Sequence, residues 1–320
     1  MVPLFEQIRQ SRDILLVDQR GTGSASSLNC DFARDEDQDL QVASAELLLQ
    51  IQTEFLGRCL DGLDADPLFY TTDIAVQDLE AIRQYLGYTR LNLWGVSYGT
   101  RVALNFLRYY PDSTRTVIID GVAPPGVLPV EAARDGGKAL QLVLDLCREE
   151  SACAAAYPNL QEHYTVLLER YASAESVSVR LAMDEAPEMT EISSSTIQST
   201  LFMMLYSRET ARLIPLFIES MYVGNFQGLA GLSADNQDSV NIAMHYSVIC
   251  SEDLPVSPTL TEQEMATLFA YDMLVQSRIK GCEVWPSKAM PEAFFQPVES
   301  EKPVLIFSAT QDPVTPRRWG

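Results

Sequence analysis

Leu91-Asn92-Leu93-Trp94-Gly95-Val96-Ser97-Tyr98-Gly99-Thr100-Arg101 is the stretch that decides the fold. Leu91 to Trp94 is a short apolar run that reads as a strand, and Val102, Ala103, Phe106 and Leu107 keep a helical spacing until Pro111. Between them, Gly95-Val96-Ser97-Tyr98-Gly99 matches Gly-x-Ser-x-Gly, the pattern of a sharp strand-to-helix turn that presents a serine hydroxyl at the top of a sheet. Small residues two positions on either side of the serine let the chain pass itself without clashes. Ser97 is therefore the candidate catalytic nucleophile. The following helix aims its N-terminus back at the serine, which makes the backbone N–H of Tyr98, and not its phenol, the candidate oxyanion-hole donor.

The segments around this turn repeat the same grammar. Thr116-Val117-Ile118-Ile119-Asp120 is a buried strand ending at Gly121, and Asp13-Ile14-Leu15-Leu16-Val17-Asp18 reads as another, closed by Gln19-Arg20-Gly21-Thr22-Gly23. Helices are expected over 45–60 and from Thr72 to Leu86, the latter with Ile74, Leu79 and Ile82 on one face. Strands alternating with helices give an α/β class. From Pro124 to Ser300 the pattern turns mainly helical, with segments at 138–147, 161–171, 196–206 and 262–279, and at Pro303-Val304-Leu305-Ile306-Phe307 a buried strand returns. The expected organisation is a core over 1–123, a helical domain over 124–300, and a second piece of core over 301–320.

A serine nucleophile needs an acid and a base. In this architecture the chain order is serine, acid, histidine, and Asp312 stands on a loop just after the returning strand, where the acid belongs. The two histidines, His163 and His245, both precede it. His163 sits in the polar run Gln161-Glu162-His163-Tyr164 and reads as a surface residue; His245, among Ala243, Met244 and Tyr246, reads as a structural one. Without a base the serine hydroxyl stays protonated at neutral pH, and losing the histidine of such a triad costs around 10⁶ in kcat. These 320 residues alone are expected to turn over hardly at all.

Composition narrows the partners. The formal charge of −21 arises from 44 acids against 23 bases with no basic cluster, which disfavours nucleic acid and membrane surfaces. No stretch approaches the roughly 18 apolar residues of a membrane span, and Met1 to Gln7 lacks a basic region followed by an apolar one. Six cysteines, none in a metal-type pairing, either pair sequentially in an oxidising compartment or remain thiols in a cytosolic protein. No cofactor and no metal are expected.

Three blocks resemble the peptidase branch of the α/β hydrolases that contains proline iminopeptidase and the bacterial tripeptidyl aminopeptidases: Asp18 to Ser24, Tyr70-Thr71-Thr72 through Arg101, and Asp312-Pro313-Val314-Thr315-Pro316. The resemblance implies an α/β-hydrolase fold, a mostly parallel sheet with helices on both faces. It also implies that 124–300 is an inserted helical cap, and that the activity is exopeptidase cleavage of short peptides with a free N-terminus. That family carries a His-Gly-Gly-type loop ahead of the first block and a histidine after the last. This sequence has neither, so both ends are expected to be truncated, with a strand missing between those at Ile14 and Leu93 and with poor stability as a result. Cys250-Ser251-Glu252-Asp253 resembles a cap segment of the family and makes Glu252 and Asp253 candidates for holding the substrate ammonium. An esterase on the same scaffold and a catalytically inactive binding protein are the alternatives. A periplasmic or secreted location is expected, with the cytoplasm as the alternative.

Overall fold

The apolar runs at Leu91, Thr114 and Val304 become neighbouring strands in a computed structural model that describes residues 5–23, 27, 28, 30, 45–179, 188–228 and 240–320. The strands are β1 (Leu91–Val96), β2 (Thr114–Asp120), β3 (Glu175–Val179), β4 (Glu188–Ile192) and β5 (Val304–Phe307). β1, β2 and β5 form one sheet in that order, all parallel. Its register sets Val96 opposite Asp120 and Asp120 opposite Phe307, so the three strands finish level. The loops that leave them consequently share one edge, the edge at which open α/β sheets bind ligands.

The principal helices are α1 (Ala45–Gly62), α2 (Thr72–Tyr85), α3 (Tyr98–Tyr109), α4 (Val130–Glu149), α5 (Leu160–Arg170), α6 (Ser194–Met204), α7 (Arg208–Ala211), α8 (Ile214–Tyr222), α9 (Ile242–Val248) and α10 (Ser277–Val284). α3 buries Ala103, Phe106 and Leu107 against Leu93, Val117 and Ile119 of the sheet, with Val76 of α2 behind them. Burying a side chain such as Phe106 contributes about 1.5–3 kcal/mol. A second and larger core, including Leu140, Leu144, Leu201, Phe202, Ile214 and Leu274, belongs to the helices between β2 and β5. A third lies around Leu56, Tyr246, Cys250 and Trp285.

On the sheet's other face, the register aligns Trp94, Ile118 and Leu305 in one row and Val96 with Phe307 in the next. Trp94, Val96, Leu305 and Phe307 are all exposed, although Phe5 packs edge-on against the indole of Trp94.

Four expectations need correction. The returning strand β5 is exposed and not buried, because among the described residues it stands at the edge of its sheet. Residues 13–18 join no sheet among the described residues, and Ile14, Leu15, Leu16 and Val17 are exposed. An apolar run becomes a strand only when a neighbour takes up its backbone donors and acceptors, and none does so here. Within the stretch read as mainly helical, β3 and β4 pair antiparallel as a two-stranded sheet; the period-2 sequence Glu175-Ser176-Val177-Ser178-Val179 carries that signal. The helix expected over 262–279 is broken into a short turn at Glu262–Met265 and a wide-turned segment at Asp272–Gln276 that runs into α10.

All six cysteines are paired, Cys30–Cys59, Cys147–Cys153 and Cys250–Cys282, which is the sequential pattern and removes the alternative of six thiols. Such bonds are compatible with a secreted or extracellular protein. Among the described residues no helix is long and apolar enough to cross a membrane.

Candidate functional site

Ser97 joins β1 to α3 with φ 52° and ψ −122°, a left-handed conformation that costs a non-glycine residue about 1–3 kcal/mol and persists only when the surroundings impose it. The surroundings here are specific. Ser97 N–H donates to Asp120 O at 2.9 Å, and Ser97 O accepts from Thr100 N–H at 2.9 Å and Thr100 Oγ1 at 2.6 Å. The turn is tight enough that a Cβ on Gly95 would stand 2.2 Å from Gly99 O, so only glycine fits there. Tyr98 begins α3, and a helix's first N–H has no carbonyl one turn back to receive it.

The turn opens into a cavity of about 370 Å³ lined from the sheet by Ser97, Asp120 and Gly121, from the loop after β5 by Asp312 and Thr315, and from the helical region by Tyr206 and Arg208. Asp312 is fixed within its own loop: Oδ1 accepts from Val314 N–H at 2.9 Å and Thr315 N–H at 2.7 Å, and Oδ2 from Thr315 Oγ1 at 2.7 Å. Gly121, at φ 63°, lets this loop come close, since a Cβ there would meet Thr315 Oγ1 at 2.8 Å. Further along, Arg318 grips Glu131 and Asp135 of α4 at 2.6 and 2.8 Å and fastens the segment after the loop to the helical region. Ser97 and Asp312 thus line the same cavity.

The cavity adds residues that the sequence reading passed over. Asp120 is a second carboxylate, and its place at the C-terminal end of an apolar strand is the same signal that singles out Asp312. Tyr206 has its phenol pKa raised, chiefly by desolvation; Arg278 opposes the shift and Asp312 adds to it. Arg208 left no sequence signal at all.

Neither histidine hydrogen bonds to Ser97 or Asp312 among the described residues. His163 is not the surface residue expected: Nδ1 lies 2.7 Å from Glu219 Oε1 and the ring stacks on Tyr222 at 3.8 Å, both partners coming from α8. His245, on α9, has its pKa pushed down to about 3 by burial and by the Arg278 charge, and it stays neutral across the physiological range.

Glu252 and Asp253 are not among the residues that line this cavity. They are fully buried around Arg101, about one helical turn beyond the serine. Arg101 Nη1 donates to Glu252 Oε2 at 3.1 Å and Asp253 Oδ2 at 2.9 Å, and Nη2 to Asp253 Oδ1 at 2.8 Å. Glu252 also accepts from Thr72 N–H at 2.6 Å and Thr72 Oγ1 at 2.7 Å, and Asp253 from Gly126 N–H at 2.7 Å. Every carboxylate oxygen of the pair thus accepts at least one hydrogen bond from the protein. Burial raises the Glu252 pKa, against the pull of Arg101 and Thr72. Burial alone would lower that of Arg101, but Asp253 and Glu252 outweigh it and hold the guanidinium charged. Thr72 Oγ1 also reaches the Tyr98 hydroxyl at 2.9 Å, and Gln19 Nε2 donates to the same hydroxyl at 3.0 Å. The phenol is therefore held in this network, away from the serine's chemistry.

With this geometry in place, the chain can be compared with known proteins. A family described as alpha/beta hydrolase fold matches residues 1–189, and one described as TAP-like protein matches residues 267–320. The chain is similar to the serine protease Hip1 of Mycobacterium tuberculosis, with 24% identity over 349 residues, covering 99% of this chain and 66% of that protein. It is also similar to the tripeptidyl aminopeptidase of Streptomyces lividans, with 28% identity over 120 residues, covering 35% of this chain and 22% of that protein. The chain spans just under two thirds of the length of the first of these relatives.

Proposed function

The chain belongs to the alpha/beta hydrolase fold family, and from that premise we propose that it carries the nucleophile and the acid of a serine peptidase that releases residues from the N-termini of short peptides. The observation that carries the proposal is that the strained Ser97 and the braced Asp312 open onto one cavity. Ser97 Oγ attacks the scissile carbonyl carbon and its proton passes to a histidine. The Tyr98 N–H, at the start of α3, stabilises the oxyanion. The carbon–nitrogen bond then breaks, the amine leaves with the proton, and water releases the acyl group from Ser97. Asp312 orients that histidine. Residues 124–300 act as a cap over the cavity and present Tyr206 and Arg208 to it. Glu252 and Asp253 brace Arg101. The relatives' names, a serine protease and a tripeptidyl aminopeptidase, support peptides as substrates. The three disulfides support a periplasmic or secreted location.

The test is hydrolysis of aminoacyl and tripeptidyl anilides beside p-nitrophenyl acyl esters by the protein as its gene encodes it. Anilide turnover abolished by Ser97→Ala supports the peptidase; ester-only turnover makes it an esterase. A second reading, an inactive binding protein on the same fold, is favoured by one observation: neither histidine of the chain bonds to Ser97 or Asp312 among the described residues. It predicts no turnover of either substrate class.

A further inference from the structure

Arg208 is an arginine in the reaction cavity with no acid assigned to it. It begins α7, is exposed, and lines the cavity shared by Ser97 and Asp312. Among the described residues its guanidinium makes no hydrogen bond or ion pair, in a chain of 44 acids and 23 bases where Arg20, Arg83, Arg101, Arg134 and Arg318 each hold a carboxylate. The carboxylate next to it in sequence, Glu209, is held at 2.8 Å by Ser207 Oγ and lies within the fields of both Arg208 and Arg212. The other charged groups lining the cavity, Asp120 and Asp312, come from the sheet side, so the cavity is negative on its floor and positive at the cap.

We propose that Arg208 is a specificity-determining residue that receives a carboxylate of the substrate, either an acidic side chain or the C-terminal carboxylate of a short peptide. A guanidinium presents paired N–H donors matched to the two oxygens of a carboxylate, and an arginine already bound to a protein acid could not do this. A peptide lying across the cavity would set its anionic group against the cap while its scissile carbonyl meets Ser97. This assignment rests on the peptidase reading for the identity of the substrate, but not for its test.

The test separates binding from turnover. The protein as its gene encodes it, carrying Ser97→Ala, is titrated calorimetrically with four tripeptides: glutamate or glutamine side chain, each with a free or an amidated C-terminus. The expected result is tighter binding of one of the acid forms, roughly fivefold at low ionic strength for a solvent-accessible pair, shrinking as salt is added. The side-chain and terminal arms identify which carboxylate is read. Adding Arg208→Gln brings the acid-to-amide ratio close to one and Arg208→Glu inverts it, whereas Arg212→Gln, outside the cavity, leaves it in place. Equal binding of all four peptides, a preference that survives Arg208→Gln, or no binding of any form at millimolar peptide overturns the assignment. Anilide turnover without a carboxylate preference refutes this inference and spares the peptidase reading. A carboxylate preference without turnover does the reverse.

Discussion

Replacing Arg101 with methionine removes a charge from the centre of the molecule while keeping most of the volume. Arg101 donates five hydrogen bonds, three to Glu252 and Asp253 and two to the carbonyls of Ala123 at 3.2 Å and Pro124 at 2.9 Å. The guanidinium is 3% exposed and the two carboxylates 0% and 1%. The substitution therefore leaves two buried acids without a counter-charge, a change that costs about 3–5 kcal/mol. That is a large part of the roughly 5–15 kcal/mol by which a domain is usually stable. The penalty depends on pH in a definite direction. Burial already raises the folded-state pKa of Glu252, and removing Arg101 raises it further. A carboxyl whose folded pKa lies above its unfolded value adds most to stability below the unfolded value, near 4, and loses that contribution as pH rises through the folded one. Urea unfolding followed by far-UV circular dichroism, with disulfides intact, should show the full loss at pH 7 and a smaller one at pH 5. Combining Arg101→Met with Glu252→Gln and Asp253→Asn should recover part of it, because a neutral cluster needs no counter-ion. An unchanged midpoint at pH 7, or a penalty at pH 5 as large as at pH 7, would refute this account of the cluster.

Gly95→Ala places a methyl group 2.2 Å from Gly99 O, so the serine turn must open; labelling of Ser97 by a fluorophosphonate should disappear even in protein that still folds. Asp312→Asn in the protein as its gene encodes it should lower kcat for anilides by about 10⁴ with KM little changed, since the acid orients the base and does not hold substrate; a loss of less than tenfold would move the acid's role to Asp120. A thiol titration in denaturant should find no free thiol before reduction and six after it. Free thiols in the unreduced protein would remove the support for an oxidising compartment.

Short-range signals carried most of what could be read in advance. Strand, glycine, serine and helix follow one another within Leu91 to Tyr109, so the turn at Ser97 was legible in the sequence, as was Asp312 from the strand it follows. The run Ile14 to Val17 carries the same apolar signal as β2, but strand formation depends on a neighbour that sequence alone does not provide. Glu252 and Asp253 stand out as adjacent acids, yet their partners are Arg101, about 150 positions earlier, and Thr72, which no local pattern signals. The same holds for His163, whose polar helix suggested solvent until Glu219 and Tyr222 of α8 met it. Arg208 lies in the polar run Ser207-Arg208-Glu209-Thr210, where nothing local separates it from a solvated cation; only the cavity does.

The exposed sheet face carrying Trp94, Leu305 and Phe307 bears on how these 320 residues behave as a colloid. Two molecules that meet on these faces gain apolar contact, while a formal charge of −21 on each drives them apart. Charge repulsion fades within about 10 Å at 0.1 M salt, and the attraction between apolar faces does not. Dispersed solutions are therefore expected in dilute buffer and clouding as salt is raised, the opposite of a protein whose solubility is limited by attraction between unlike charges.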